Sequence, residues 1–474
     1  MELIREIAKE FNCNGYYIFE VGGHVRDYLL GRDSLDIDLT TNAPPSKTKE
    51  LVQRFGNVYD VGEAYGTIGL IVDNLQIEIT TFRKEVYPTD SRKPNVEFNT
   101  EKSLDALVQD LARRDFTVNA LAREPMSGAI IDPFNGQDDI SAKIIRCVGR
   151  EADRFNEDPL RMMRAVRFGC QLGFTLRVRM PHPERLLIVS KERIRDEFSK
   201  ILLSRRASSG IAYLCSYGLM EYIVPDFMKL RGLDQGTVHH VKDGIKHSLM
   251  VLHKGARLDF GDANLIFRLA CLFHDIGKPE TRTVDGTGVH FYSHQYYGAK
   301  RVEKILSELR FDNDTIERVR ELVYFHMSPL MLYRGFDEGG LNTRSVMRLI
   351  RKIGEDTIYL LLGLVKCDMK SSKNSRREFL NILTRMVDEC MKKGPENISS
   401  PINGNEIMTI FGLKPSPLVG EIKVYLTELV IDGKLDKEDK LGAVEWAREK
   451  LRVIDESNGE EIIEEEMLDE SATD

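Results

Sequence analysis

Two aspartates separated by one residue, Asp36 and Asp38, follow a double glycine, Gly22-Gly23, and an Arg-Asp pair, Arg26-Asp27, in the stretch VGGHVRDYLLGRDSLDIDLT. In a strand alternate side chains share a face, so Asp36 and Asp38 project together while Ile37 and Leu39 turn to the core. Two carboxylates held side by side repel unless a cation lies between them. Mg²⁺, which keeps phosphate oxygens as its other ligands, suits that place. The glycines leave backbone N–H groups bare at a helix start, where an incoming phosphate can bind. The stretch therefore predicts a metal-triphosphate site. Taken singly, each half has a plainer reading, Asp-x-Asp as solvated strand-end charge and Gly-Gly as a turn.

Three more stretches add to this site. IEITTFR puts Glu78 on a strand whose Ile77 and Ile79 face the other way, so it can complete a three-carboxylate site or simply face solvent. LARRDFTVNALA brings Arg113 and Arg114, suited to triphosphate oxygens, together with Asp115 and Asn119, which can hold ribose hydroxyls. NEDPLRMMRAVRF predicts a helix with Asp158, Arg161, Arg164 and Arg167 on a polar stripe and Leu160, Met163 and Val166 on the apolar side. A carboxylate accepts from an exocyclic amine and a guanidinium donates to ring acceptors, so an Asp-Arg pair can select C and A over U and G. Asp158, standing before Pro159, can equally cap the helix.

The elements that must position these residues follow from the pattern. Tyr16 to Val21 reads as a strand, His24 to Leu30 as a short helix closed by Gly31, and the aspartates as part of a second strand. Residues 1–140 mix β-rich runs (GTIGLIV, LQIEITTF, GAIIDPF) with helices, whereas from 141 onward strand signals nearly vanish and helical periodicity dominates. The predicted organisation is an α/β unit at 1–140, a helical segment at 141–235 and a second helical region at 236–375 introduced by the glycine-rich LRGLDQGTVHH. KSSKNS then leads to a helical tail at 376–454, and an acidic, unstructured extension follows at 455–474.

Seven scattered cysteines without a CxxC pair suggest reduced thiols, and no apolar run approaches the ~18 residues of a membrane span. The acidic start MELIREIAKEF reads as neither secretory signal nor transit peptide, so a cytoplasmic protein without a membrane partner is expected. The net charge of −8 arises from the last twenty residues, which hold ten Asp/Glu and no Lys/Arg; the remainder carries 67 basic against 65 acidic residues. Between Ser141 and Leu230, 17 basic residues face 10 acidic ones, a local excess that can bind phosphates.

Six ordered stretches, GGHVRDYLLGRDSLDID, TFRKEVYPTDSRKPNVEF, LARRDFTVNALA, DPFNGQDDI, EDPLRMMRAVRF and RIRDEFSKIL, resemble the class II tRNA nucleotidyltransferases, the bacterial CCA-adding enzymes, and their poly(A) polymerase relatives. The resemblance covers roughly residues 15–205. It implies an α+β protein with a polymerase-β-like head, a mixed sheet flanked by helices, followed by a mostly helical neck, body and tail that grip tRNA. Its metal aspartates fall on Asp36 and Asp38, and its nucleotide-binding positions on Gly23, Arg26, Arg113, Asp158, Arg161, Arg164 and Arg167. It further implies template-independent addition of C, C and A from CTP and ATP with Mg²⁺. The partner is tRNA and no DNA is expected. An A-adding specialist and a poly(A) polymerase share the same motifs.

The later half sets His247, His274-Asp275, His294, His326 and Asp368 on a run of helices, and imidazole with carboxylate suits a divalent metal. The order H…HD…D with HDIGK is similar to the HD phosphohydrolase superfamily, which implies His247, His274, Asp275 and Asp368 as ligands of a second metal, Mg²⁺, Mn²⁺ or Ni²⁺. A metal-dependent phosphohydrolase with an RNA-binding head is the alternative from a different class.

Overall fold

The computed structural model describes residues 2–33, 36–62, 66–86, 95–233, 243–286, 288–336, 341–369, 374–392 and 399–469. The chain divides into two compact units, Met1–Val323 and Tyr324–Asp474. The division falls inside the segment 236–375 expected as one domain. The glycine-rich stretch before that segment and the KSSKNS linker lie largely outside the described residues, as does most of the loop EVYPTDSRKP.

The first unit opens with a seven-stranded mixed sheet. Its strands are β1 (Ile18–Val21), β2 (Asp36–Thr41), β3 (Asn57–Gly62), β4 (Thr67–Val72) and β5 (Leu75–Thr81), then, after a separate pair β6 (Arg83–Val86) and β7 (Asn95–Phe98), β8 (Ala122–Arg123) and β9 (Ile130–Ile131). The order is β3-β4-β5-β2-β1-β8-β9, with β2 and β5 parallel and the other neighbours antiparallel. Strand alternation sorts the side chains. Ile18, Ile37, Leu39, Ile77 and Ile79 pack beneath α1 (Glu2–Cys13) and α3 (Pro45–Val52), while Phe19 and Val21 point to the other face, against α4 (Leu104–Ala112). Asp38, Thr40 and Glu78 share that second face, and α2 (Gly23–Leu29) leads off from the end of β1 above it.

After α5 (Gly136–Ser141), the helical segment comprises α6 (Glu151–Glu157), α7 (Leu160–Leu172), α8 (Lys191–Leu202) and α9 (Ala207–Ser216), with the short turns α10 (Met220–Ile223) and α11 (Pro225–Met228). Leu160, Met163 and Val166 of α7 are buried as the pattern required. The unit continues through α12 (Gly244–Gly255), α13 (Asn264–Phe273), α14 (His294–Glu308) and α15 (Asn313–Phe325). Two short pairs depart from the all-helical expectation: β10 (Ile144–Ile145) with β11 (Thr175–Leu176), and the hairpin β12 (Arg282–Asp285) with β13 (Gly288–Phe291). The hairpin's first strand is exposed along its length, so it carries no alternation of apolar and polar residues to betray it.

The second unit holds α16 (Ser328–Phe336), α17 (Thr343–Ile353), α18 (Glu355–Asp368), α19 (Asn374–Lys392), α20 (Gly404–Phe411), α21 (Pro417–Ile431) and α22 (Lys440–Asp469). Where the sequence suggested an unstructured extension at 455–474, the last helix runs through to Asp469, and 470–474 lie outside the described residues. The segment is rich in Glu, with Met and Leu, which are good helix formers, and the upstream turns supply the nucleus. Among the described residues no helix is long and apolar enough to cross a membrane.

Candidate active site

The parallel pairing of β2 with β5 sets Asp36 opposite Gln76 and Asp38 opposite Glu78. Burial raises the pKa of Asp38, with the Asp36 charge acting in the same direction and Arg114 and His24 opposing it. Burial likewise raises that of Glu78, and Asp38 and Asp36 add to it. Carboxylates that push each other toward the neutral form are what a divalent cation would relieve, so the residues fit Mg²⁺. Glu78 joins the aspartates by strand register: among the described residues, the clusters whose ligand atoms all lie within 4.8 Å of one another are histidine-containing and lie elsewhere.

The glycine turn is required by geometry. Gly22 has φ +72°, and a Cβ there would lie 2.8 Å from Arg114 Nη1 and 3.2 Å from Asp38 Oδ2. The turn thus lets the backbone approach both the carboxylate and the guanidinium. Arg113 and Arg114 leave the end of α4 and are held by Asp110, a fully buried residue: Arg113 Nε donates to its Oδ1 at 2.9 Å, and Arg114 Nη2 lies 3.8 Å from its Oδ2. Arg114 Nε is buried without a hydrogen-bond partner among the described residues. Arg26 donates through Nε and Nη2 to both oxygens of Asp27 and through Nη1 to Asn119 Oδ1 at 2.7 Å, so its guanidinium also buttresses the wall.

The neck closes the other side. Arg154 Nη1 donates to the Ala112 carbonyl and Arg161 Nη2 to the Arg113 carbonyl, both at 2.9 Å, which ties α6 and α7 to the turn that carries Arg113 and Arg114. Arg161 Nη1 also donates to Glu157 Oε2 at 2.5 Å. Asp115, expected at a ribose, accepts from Arg164 Nε at 2.8 Å and from the Phe116 and Asn119 amides. Burial alone would raise its pKa, but Arg164 and Arg161 outweigh it and hold the carboxyl below its ordinary value. Asp158 acts as the cap its place before Pro159 suggested, Oδ1 accepting from Leu160 N at 3.1 Å, while Oδ2 accepts from Arg193 Nη2 at 2.7 Å. Arg167 turns to Glu197, 2.8 Å away, and its guanidinium lies over the Phe168 ring.

These elements enclose a cavity of about 480 Å³ lined by Gly22, Gly23, Arg26, Asp38, Thr80, Arg113, Arg114, Asp115, Asn119, Asp158, Arg161, Arg164, Phe168 and Arg193. Six arginines against three aspartates give it the charge a triphosphate needs. Arg167 is not among its walls. Asp110, Arg193 and Phe168 were not singled out in the sequence. Asp110 was accessible through its i+3 and i+4 spacing to the two arginines, whereas Arg193 and Phe168 reach the cavity only through tertiary packing.

A second cluster lies farther along the same unit. His247 Nε2 and His274 Nε2 are 3.2 Å apart, and each is 3.3 Å from Asp275 Oδ2. His274 Nδ1 lies 3.1 Å from the Cys271 carbonyl, a bond that would leave Nε2 for a metal. All three are buried and fit a divalent ion. His294 Nε2 is 3.6 Å from Asp275 Oδ1, a contact absent from the expected ligand set. Asp368 sits at the end of α18 in the second unit.

Comparison with known proteins matches three family models in chain order: "Poly A polymerase head domain" over 17–146, "Probable RNA and SrmB- binding site of polymerase A" over 181–230, and "HD domain" over 244–361. The A-adding tRNA nucleotidyltransferase of Deinococcus radiodurans is 30% identical over 445 residues, 90% of this chain and 95% of the relative. The CC-adding tRNA nucleotidyltransferase of Thermus thermophilus is 30% identical over 440 residues, 90% and 92% of the two chains. The CCA-adding enzyme of Levilactobacillus brevis is 40% identical over 232 residues, 48% of this chain and 56% of the relative. Among solved structures, that of the Bacillus stearothermophilus CCA-adding enzyme in complex with CTP superimposes with a TM-score of 0.67 at 25% identity, covering 96% of this chain and 98% of the other.

Proposed function

The chain belongs to the tRNA nucleotidyltransferase family, and from that premise we propose that it adds C, C and A in turn to tRNA 3′ ends, taking CTP and ATP and releasing pyrophosphate. The observation that carries the reading is one cavity holding Asp38, the Gly22-Gly23 turn, Arg113-Arg114 and the Asp158-Arg161 pair together. The 40% identity with a CCA-adding enzyme over about half the chain supports addition of all three nucleotides. A tRNA substrate also supports a cytoplasmic location.

The residues divide the work. Asp36 and Asp38, with Glu78 beside them, would hold Mg²⁺, which when bound polarises phosphoryl oxygens and lowers the pKa of the attacking 3′-hydroxyl. Arg113 and Arg114 meet the triphosphate, and Arg114 Nε gains the acceptor that it lacks among the described residues. The Gly22-Gly23 backbone keeps that approach open. Asp158 has one lone pair left on each oxygen after bonding Leu160 N and Arg193, so it can accept from the amine of cytosine or adenine. The N–H groups of Arg161 not used by Glu157, Arg154 and Arg113 donate to ring acceptors. Because the same guanidinium grips the Arg113 carbonyl, base selection and triphosphate placement share one rigid link. Loss of labelled CMP and AMP incorporation in Asp36→Ala, with the fold intact by circular dichroism, tests this; retained incorporation would contradict it.

The buried His247-His274-Asp275 cluster favours a second activity, metal-dependent phosphoester hydrolysis with Mg²⁺, Mn²⁺ or Ni²⁺. Opening of a 2′,3′-cyclic phosphate by water to a phosphomonoester, requiring added metal and His274, tests it.

A further inference from the structure

His294, beside the histidine cluster, is flanked by aromatic rings that neither the core nor the cluster uses. His290 and Tyr292 stack with centroids 5.2 Å apart and planes at 12°, and Tyr292 is 66% exposed. Tyr296 and Tyr297, 43% and 44% exposed, meet edge to face at 5.4 Å, and Lys300 Nζ lies 4.4 Å from the Tyr296 centroid. Two side chains join this run to the cluster: His294, through Asp275, and Lys278, whose Nζ donates to Asp275 Oδ2 at 2.6 Å and lies 5.5 Å from the Phe291 centroid. Arg282 and Lys300 are exposed on the same stretch, while its acidic Asp285 is paired with His290.

Exposed flat rings with cations among them match the faces of unpaired bases and the phosphates between them. We infer that Tyr292 and Tyr296, with Lys300, form a stacking platform that holds the unpaired 3′-terminal nucleotides of an RNA beside the His247-His274-Asp275 cluster. The inference rests on the reading of that cluster as a phosphoester-hydrolysing site. The platform supplies affinity for the bases, and the cluster acts on the terminal phosphoester.

The test uses the full chain and a short RNA ending in 4-thiouridine 2′,3′-cyclic phosphate, with photo-crosslinked peptides mapped and phosphoester hydrolysis followed separately. Crosslinks within residues 290–300 are expected. Tyr292→Ser/Tyr296→Ser should weaken them and raise the KM for hydrolysis about 10²-fold, the scale of two lost base stacks, with CMP and AMP addition unchanged. If the double variant does not fold, Lys300→Gln, an exposed substitution, should weaken the same crosslinks by a smaller factor. Crosslinks confined to the head and neck, or unaltered by these changes, would overturn the platform. Crosslinks at 290–300 without hydrolysis at any of the three metals would support the platform and remove the hydrolase reading.

Discussion

Arg193 Nη2 donates to Asp158 Oδ2 at 2.7 Å, joining α8 to the residue that would read the base. The bond fixes the carboxylate in rotation, since its other oxygen caps Leu160 N. Arg193→Ala should therefore relax the choice of nucleotide more than it slows addition: CMP misaddition relative to AMP on a CC-ending tRNA should rise about tenfold, the worth of one charge-assisted hydrogen bond. Arg193→Lys should restore part of the choice. Competition between labelled CTP and ATP measures the ratio.

Asp38 stands against Glu78 and beside the glycine turn, so its removal takes away both a metal ligand and the neighbour of Arg114. Asp38→Ala should lower nucleotide addition roughly 10³-fold. Its melting temperature should not fall, because the variant removes a buried carboxylate whose ionisation burial disfavours. Single-turnover addition and thermal unfolding together check both parts.

Gly22→Ala places a Cβ at φ +72° and 2.8 Å from Arg114 Nη1. With ψ at −136° the backbone lies in a region essentially restricted to glycine, at a cost of about 1–3 kcal/mol, and the arginine must move off the triphosphate. The variant should lose stability by that amount in urea unfolding and lose kcat as well.

The Asp115-Arg164 pair sets an acid-side pH dependence. Folding lowers the Asp115 pKa below 3.8, so the stabilisation is complete above that value and is lost as pH falls through the lower folded pKa. As pH falls below 3.8 the unfolding free energy of the wild type should fall more steeply than that of Asp115→Asn. Parallel slopes would show that the pair does not contribute.

His274→Ala should abolish metal-dependent phosphoester hydrolysis while CMP and AMP addition persist, because the histidine cluster contributes no wall to the head cavity. Divalent-metal affinity, read by calorimetry with Mn²⁺, should drop by about tenfold or more.

Much of the site was legible because it is local. Asp36, Asp38 and Glu78 declare themselves by strand alternation, Gly22 by the turn it must make, and the α7 stripe by its three-residue spacing. What was hidden depends on residues distant in sequence: Arg193 meets Asp158 across 35 positions, and Arg161 meets the Arg113 carbonyl across 48. The roles of Arg26 and Asp115 also shifted. Arg26 was expected at the nucleotide and Asp115 at a ribose or as a helix N-cap, yet each is a buttress, to Asp27 and Asn119 or to Arg164, since a buried charge needs a partner before any ligand arrives. The hairpin at 282–291 and the helical run to Asp469 escaped for opposite reasons, one having no apolar alternation and the other so many charges that it read as unstructured.

Two relatives matched over 90% of this chain at 30% identity are an A-adding and a CC-adding enzyme, so the number of nucleotides added separates the readings. The direct measurement is sequencing of products from tRNAs ending at the discriminator base, at C and at CC, each incubated with the protein, Mg²⁺, CTP and ATP. The account predicts completion to CCA from all three ends, stopping there, and its loss in Asp36→Ala. Addition of A to the CC-ending tRNA alone, or arrest at CC, would contradict it.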